Sequence, residues 1–158
     1  VISVTQFHAG TNTNVIPKTA IIKGTCRTLS GSVQDMIEAR MEEVATGIAR
    51  AHGLTAEFTY DRRYPVLVNT KEETLKAIKA AQAVAGADNV STDHPPTMGS
   101  EDFAWMLQHN PGCYIRVGNG EGEDGGCVVH NPNYDFNDEA SVYGASYWAA
   151  LVEQELSL

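Results

Sequence analysis

In the first 62 residues, the alternation of apolar and polar positions predicts three strands and one helix. Residues 1–7 and 18–28 are rich in β-branched residues with partial alternation, and a loop rich in Gly, Asn and Pro joins them. Residues 55–62 alternate again, which predicts a third strand. The order β-β-α-β is that of a partial α+β sandwich.

The helix of this region is predicted over residues 32–52. Four apolar residues recur at helical spacing: Ile37, Met41, Val44 and Ile48. Ser32 is a candidate N-cap, and Gly53 stands where a left-handed residue commonly ends a helix. We therefore expect an amphipathic helix.

The pattern resets around Tyr64 and Pro65, where the apolar alternation of the third strand stops. We predict a domain boundary there, with residues 1–62 and 63–158 as the two regions. Helical spacing returns directly afterwards and predicts a second helix over about 70–85. The second region thus begins with a helix and not with another strand.

Thr70 followed by Glu73 predicts a capping box at the start of that helix. A Pro-rich loop then leads into a short helix, and the apolar stretch CYIRVG predicts a buried strand over 113–118. The last helix is predicted to follow a cap at Asn137 or Asp138. The second region therefore mixes helices with at least one strand.

Composition and charge narrow the range of partners. Hydrophobic residues make up 42% of the 158 residues, which is enough for a core. The 11 basic and 20 acidic residues give a net charge of −9, which disfavours nucleic acid and anionic lipid. No apolar run approaches the ~18 residues of a membrane span. We expect neither nucleic acid nor membrane as a partner.

The cysteines and the first residues bear on location and completeness. Cys26, Cys113 and Cys127 show no paired spacing, which predicts reduced thiols in a cytoplasmic protein. Residues 1–20 lack the order of a secretory signal. Because Val1 opens directly into a predicted strand, without a turn or cap before it, we expect the chain to continue a longer protein.

Two of the five histidines are placed where sites are often built. His8 and His130 each end an apolar extended run and open a loop rich in Gly, Asn and Pro. His130 is the better candidate, because Pro132 stiffens its loop and neighbouring polar groups can orient an imidazole. From the residues alone, a ligand or catalytic role and a surface role both stay open. His8 receives no assigned role.

Two further features could bind an anion. Gly99 and Ser100 precede the predicted short helix, whose free amides can bind a carboxylate or phosphate, although Ser100 as a plain N-cap explains the same residues equally well. Arg27 lies in the predicted strand among Ile, Gly, Thr and Cys residues. A guanidinium there suits bidentate carboxylate binding, with a structural ion pair as the alternative.

The stretch GNGEGEDGG, residues 118–126, contains glycines in the G-x-G-x-x-G register of dinucleotide-binding loops. That function is rejected on two grounds. The residues after the glycines, CVVH, do not open a helix, and the acidic residues of the stretch would repel a pyrophosphate. The stretch therefore predicts a surface loop.

Four stretches in order, FHAGTNTNVIPKTAIIKGTCRT, PPTMGSEDFAWML, PGCYIRVGNG and VHNPNYDFNDEA, resemble the C-terminal part of the M20 metallopeptidase family. The resemblance is to the branch of hippurate hydrolases and N-acyl-amino-acid amidohydrolases, and it covers essentially the whole chain. It implies a partial α+β lid domain over 1–62 that mediates homodimerisation. Over 63–158 it implies the C-terminal part of a zinc-peptidase-like α/β catalytic domain.

The resemblance also implies a site. It implies two divalent metal ions, Zn or Mn, with His130 as one ligand. The other ligands and a general-base Glu belong to family motifs that come before this stretch, so we expect the isolated chain to be inert and to bind no metal by itself. Asn14 and Arg27 are implied to bind the substrate carboxylate, and Gly99 and Ser100 to border the substrate pocket.

The implied activity is hydrolysis of N-acyl or N-aroyl amino acids to a carboxylic acid and an amino acid. Asn14 and Arg27 stand 13 positions apart, which is roughly 40 Å when fully extended. We therefore expect either that the chain curls back or that the two residues serve different active sites of a dimer. Alternatives are a dimerisation or binding module without catalysis, and a peptidase or deacylase of the same fold.

Overall fold

The structure, a computed structural model, describes residues 1–121 and 126–156. Its elements are β1 (Ile2–Ala9), β2 (Ala20–Cys26), α1 (Gly31–Ala51), α2 (Lys71–Ala85), a 3-10 turn (Ala87–Asn89), α3 (Phe103–Met106) and α4 (Ala140–Glu155). None of the helices in the described residues combines the length and apolar character needed to cross a membrane. The described chain is α+β, with one two-stranded sheet.

The chain divides into two compact units. The first comprises Val1–Leu67 and Pro96–Trp105, and the second comprises Val68–Pro95 and Met106–Leu158. The predicted regions 1–62 and 63–158 assign residues 63–67 and 96–105 differently, because both segments group with the first unit. The assignment of the two regions to a lid and a catalytic domain stays a prediction.

The first unit is built on an antiparallel hairpin. The register runs from Ile2 opposite Cys26 to Ala9 opposite Ala20, with an irregularity between Val4 and Gln6. The backbones of Val1 and Arg27 continue the pairing with two hydrogen bonds of 2.8 Å. Both predicted strands are therefore confirmed, with bounds within a few residues of the expected ones.

Helix α1 confirms the predicted helix and its end. Gly53 has φ 71°. Its N–H donates to the carbonyl of Arg50 over 3.0 Å, and the N–H of Leu54 donates to the carbonyl of Ala49 over 2.8 Å. This is the Schellman arrangement, which favours glycine at the left-handed position. The helix begins earlier than expected, so that Ser30 and not Ser32 occupies the N-cap position, without a side-chain capping bond.

The predicted third strand is extended but unpaired. Residues 54–70 contain no hydrogen-bonded strand, although Ala56, Phe58 and Tyr60 are part-buried while the residues between them are exposed. The alternation in the sequence predicts this alternating burial. A β-strand also needs an adjacent strand whose backbone forms hydrogen bonds with its N–H and C=O groups. No neighbour pairs with this segment among the described residues.

Side chains hold this extended segment to the rest of the first unit. The Tyr60 side chain lies near Cys26 and Gln34, and burial raises the pKa of Tyr60. The guanidinium of Arg62 reaches α1, where it bonds to Asp35 over 2.7 Å and to Glu38. Because these pairs are largely exposed, we expect each to stabilise the unit only slightly.

The second unit is a helix pair with a small core. Ala77 and Ala80 of α2 pack against Tyr147 of α4, and the part-buried Cys113 and Ile115 pack on this cluster. At the periphery Lys76 Nζ lies 2.9 Å from Glu155. A hydrogen bond from Gln154 and this ion pair lower the pKa of Glu155, and the same pair raises that of Lys76.

The capping box predicted at α2 does not form. Thr70 occupies the N-cap position without a side-chain capping bond, because its hydroxyl accepts the N–H of Gly112 over 2.9 Å. Glu73 is left with a buried oxygen that has no hydrogen-bond partner among the described residues. The tertiary contact with Gly112 thus replaces the local motif.

The predicted strand over 113–118 is likewise extended without strand pairing among the described residues. Asn69 holds its start instead: Nδ2 donates to the carbonyl of Tyr114 over 2.9 Å, and Oδ1 accepts the N–H of Tyr114 over 2.8 Å. The backbones of Thr70 and Gly112 add a further bond of 2.9 Å. The predicted surface loop at 118–126 falls partly on residues 122–125, which lie outside the described residues.

Candidate functional site

His130 has a backbone conformation that is uncommon among non-glycine residues. Its φ is 71°, and among the described residues it is the only non-glycine residue with a positive φ. A left-handed conformation is uncommon for a residue with a side chain, and such strain is concentrated at functional sites. The imidazole belongs to an exposed residue, so it is accessible to a ligand.

A metal centre requires more donors than the described chain brings together. Among residues 1–121 and 126–156, no three His, Cys, Asp or Glu side chains lie close enough to hold a metal ion. An imidazole is a suitable donor for zinc or manganese, but one donor does not make a site, since zinc sites commonly use three or four. The described residues therefore fit a metal only as a partial ligand set.

Asn14 and Arg27 lie at the two ends of the β1–β2 hairpin. Asn14 is exposed in the connecting loop, whereas Arg27 is half-buried directly after β2. Since β2 is extended over 7 residues, the two hairpin ends are about 20 Å apart. Among the described residues, none forms an ion pair with the Arg27 side chain, so the structural ion pair considered above is not found there.

Gly99 and Ser100 lie in a segment of irregular backbone. Helix α3 begins at Phe103 and is only 4 residues long, so the two residues do not precede its first turn directly, and Glu101 and Asp102 lie before the helix. The predicted arrangement of free helix amides is wrong at this point. The segment is attached to the first unit by Trp105, whose Nε1 donates to the carbonyl of Arg63 over 3.1 Å.

The remaining histidines differ from His130. His8 lies in β1 opposite Ile21, and His94 Nδ1 is 2.8 Å from the carbonyl oxygen of Pro95. His8, His52, His94 and His109 all lack the left-handed backbone of His130. His8 therefore still has no assigned role.

Sequence reasoning missed Asn119. Its side chain contacts the backbone of residues 135–137, at the C-terminal end of the loop that carries His130. The residue stood inside a glycine-rich stretch that was judged only as a candidate dinucleotide loop. No pattern within that stretch indicates a contact with residues 16 to 18 positions further along the chain.

The fold and these residues define an α+β chain with a loop imidazole suited to metal ligation in one unit and a half-buried arginine in the other. The model of Peptidase family M20/M25/M40 matches residues 4–154. The chain belongs to this family.

Relatives and a solved structure agree with this assignment. The chain is 35% identical over 150 residues to the putative amidohydrolase YhaA of Bacillus subtilis, covering 94% of this chain and 38% of that protein. It is 30% identical over 151 residues to hippurate hydrolase of Campylobacter jejuni, covering 96% and 38%. It is 33% identical over 153 residues to N-acetylcysteine deacetylase of Bacillus subtilis, again covering 96% and 38%.

One similar solved structure is that of the YXEP protein of Bacillus subtilis, described as a dinuclear metal-binding peptidase from the M20 family. The TM-score is 0.73 at 32% identity, over 96% of this chain and 40% of that one. The chain thus spans less than half the length of the relatives it matches. The predicted family is confirmed.

Proposed function

We propose that the protein is a metal-dependent amidohydrolase that cleaves N-acyl or N-aroyl amino acids to a carboxylic acid and an amino acid. The observation that carries this proposal is the similarity, over nearly the whole chain, to a hippurate hydrolase and an N-acetylcysteine deacetylase. Both names denote N-acyl amino acids, which share an amide bond next to a free carboxylate. The acyl groups of the two named substrates differ. The proposal therefore covers N-acyl amino acids as a class and specifies no particular acyl group.

In this proposal His130 supplies one ligand to a centre of two divalent ions, Zn or Mn. Support comes from its exposed imidazole, its left-handed backbone and the dinuclear description of the YXEP protein. The remaining ligands and the general base lie outside the described residues. The chain alone is accordingly proposed to be inert.

Arg27 is proposed to bind the substrate carboxylate through a charge-assisted hydrogen bond. A half-buried guanidinium without an ion-pair partner among the described residues has donors to spare for an incoming anion. Asn14 is proposed to bind substrate as well, with Gly99 and Ser100 bordering the pocket. Because Asn14 and Arg27 lie at opposite hairpin ends, we assign them to different active sites of a homodimer formed through the first unit.

A peptidase is the second candidate, favoured by the description of the YXEP protein as a peptidase. A dipeptide also presents an amide bond and a carboxylate, so Arg27 would serve either substrate. A cytoplasmic location is proposed as well, on the ground that Cys26, Cys113 and Cys127 are all free thiols.

The substrate class is tested with the full-length protein as its gene encodes it, supplied with Mn²⁺ or Zn²⁺. We expect hydrolysis of hippurate and N-acetylcysteine to exceed that of dipeptides. R27A should lower kcat/KM for hippurate by roughly 10²-fold, equivalent to the loss of a charged hydrogen bond of about 2–3 kcal/mol, mainly through KM.

The matched control is hippuramide, in which an amide replaces the carboxylate. Its hydrolysis should change little in R27A, since the charge that Arg27 recognises is absent. Equal losses on both substrates would assign Arg27 a structural role. Faster cleavage of dipeptides than of both N-acyl amino acids would favour the peptidase, and no hydrolysis of any amide would leave a binding module.

A further inference from the structure

The loop that carries His130 is attached at its C-terminal end by one side chain from another segment. Asn119 Nδ2 donates to the carbonyl of Asp135 over 2.9 Å, and its Oδ1 accepts the N–H of Asn137 over 2.9 Å. A single planar amide therefore satisfies both a backbone acceptor and a backbone donor, as a neighbouring strand would do. We call this pair of hydrogen bonds the Asn119 clamp.

The segment that carries Asn119 is attached to the second unit. Asn119 ends the extended segment 112–119, whose start is held by Asn69. Cys113 and Ile115 of the same segment pack on the core of the second unit. A side chain on this segment is therefore fixed relative to that core.

The loop's other described hydrogen bonds are local. The N–H of Asn131 donates to the carbonyl of Val128 over 3.3 Å, and that of Tyr134 to the carbonyl of Asn131 over 3.0 Å. The side chain of Asn131 accepts the N–H of Asn133 over 2.9 Å. These bonds shape turns around His130, but they join the loop only to itself.

Beyond the clamp, the chain passes directly into α4. The Oδ1 of Asn137 accepts the N–H of Glu139 over 3.1 Å, and its carbonyl accepts the N–H of Ala140 over 3.0 Å. The clamp thus fixes the point at which the His130 loop joins the helix. An exposed imidazole on a left-handed residue depends on such support to keep one orientation.

We propose that Asn119 is a positioning residue, which acts through the backbone of residues 135–137 to hold His130 in the orientation that binds a divalent metal. The inference rests on the proposed function, in which His130 is a metal ligand. Asn119 itself touches neither metal nor substrate. Its contribution is the order it gives to the loop before a metal arrives.

The test compares N119A and N119D with wild type in the full-length protein, with Zn²⁺ as the probe. Removal of outer groups that orient a ligand typically lowers metal affinity 10- to 100-fold, so we expect the Zn²⁺ dissociation constant of N119A to rise about tenfold. N119D keeps the acceptor for the Asn137 N–H and loses the donor to Asp135. We expect a smaller rise for that variant.

A second readout needs no metal. In the metal-free protein, the amide of Asn137 should exchange its hydrogen faster in N119A than in wild type, because its acceptor is gone. N133A is the matched control. It removes an amide side chain from the same loop without breaking a side-chain hydrogen bond that the structure describes, so neither exchange nor Zn²⁺ affinity should change.

Unchanged Zn²⁺ affinity in N119A, or an equal loss in N133A, would overturn the inference. H130A separates this result from failure of the proposed function. If H130A binds fewer Zn²⁺ ions and N119A binds them as wild type does, only the positioning role fails. If H130A keeps full Zn²⁺ occupancy, the ligand role of His130 fails, and the positioning role fails with it.

Discussion

At the scale of single residues, backbone geometry identifies structurally constrained positions that the amino-acid composition does not reveal. His130 and Gly24 are the clearest cases. His130 adopts a left-handed backbone although it carries a side chain. Gly24 lies in β2 opposite Val4, where the register of the hairpin is irregular. A Cβ atom there would lie 2.2 Å from the carbonyl oxygen of Ser3. Steric exclusion, and not conformational freedom, therefore requires glycine at position 24.

We predict that G24A destabilises the first unit by at least about 2–3 kcal/mol, because backbone atoms on β1 must move to admit the methyl group. The free energy of unfolding in urea measures the effect. G47A is the matched control within α1, where an added Cβ meets nothing within 4 Å. That change should stabilise by up to about 1 kcal/mol, since alanine is the better helix former. Equal effects in the two variants would contradict the argument.

The site residues show how far single-residue reasoning extends. The exposed position of His130 follows from its place in a polar loop, and the sequence predicted such a loop. Its left-handed backbone does not follow, because turns at Val128 and Asn131 set it. Arg27 was predicted as a strand residue, and the structure places it just beyond β2. Their roles in binding stay predictions.

At the scale of elements, the periodic helices were predictable and the isolated strands were not. Helices α1, α2 and α4 satisfy their backbone groups internally, so local spacing is sufficient to predict them. The extended segments 54–70 and 113–118 show the expected burial only in part and lack strand partners among the described residues. A strand is defined by its neighbour, which local sequence does not specify.

Asn69 supplies part of what strand pairing would give to residues 112–114. We predict that N69A destabilises the second unit by roughly 2–3 kcal/mol, since two part-buried hydrogen bonds to the backbone of Tyr114 are lost. Urea unfolding followed by the near-ultraviolet signal of Tyr147 and Trp148 would measure it.

N89A is the control for that prediction. Among the described residues, the side chain of Asn89 makes one exposed hydrogen bond, from Nδ2 to the carbonyl of Ala85 over 2.8 Å. Its loss should cost less than about 1 kcal/mol. A similar cost for both variants would mean that the contact of Asn69 with Tyr114 contributes no more than an ordinary surface bond.

At the scale of the whole molecule, the proposed dimer makes a sharp prediction. If each active site takes Asn14 from one subunit and Arg27 from the other, N14A and R27A homodimers have a defect in every site. A mixed dimer with one N14A subunit and one R27A subunit has one site with both defects and one intact site. Because a two-fold symmetric dimer has two equivalent sites and only one of them is intact in the mixed dimer, we expect the mixed dimer to show about half of the wild-type turnover.

Co-expression with two different affinity tags, followed by purification through both, isolates the mixed dimers for assay with hippurate. Mixed dimers as slow as both parents would show that Asn14 and Arg27 act within one site. Failure to recover any doubly tagged protein would count against the dimer. Wild-type chains carrying the two tags serve as the control for recovery and for turnover.

The sequence by itself determined the family, the three long helices and the β1–β2 hairpin, because these depend on residue order, on local periodicity and on a turn between neighbouring strands. Only the tertiary structure decided that Thr70 bonds to Gly112 in place of a capping box, and that Asn119 clamps the His130 loop. Those contacts join residues far apart in the chain. A polar side chain can form a hydrogen bond with any of several donors or acceptors. Tertiary packing decides which of them comes within reach, and the local sequence does not.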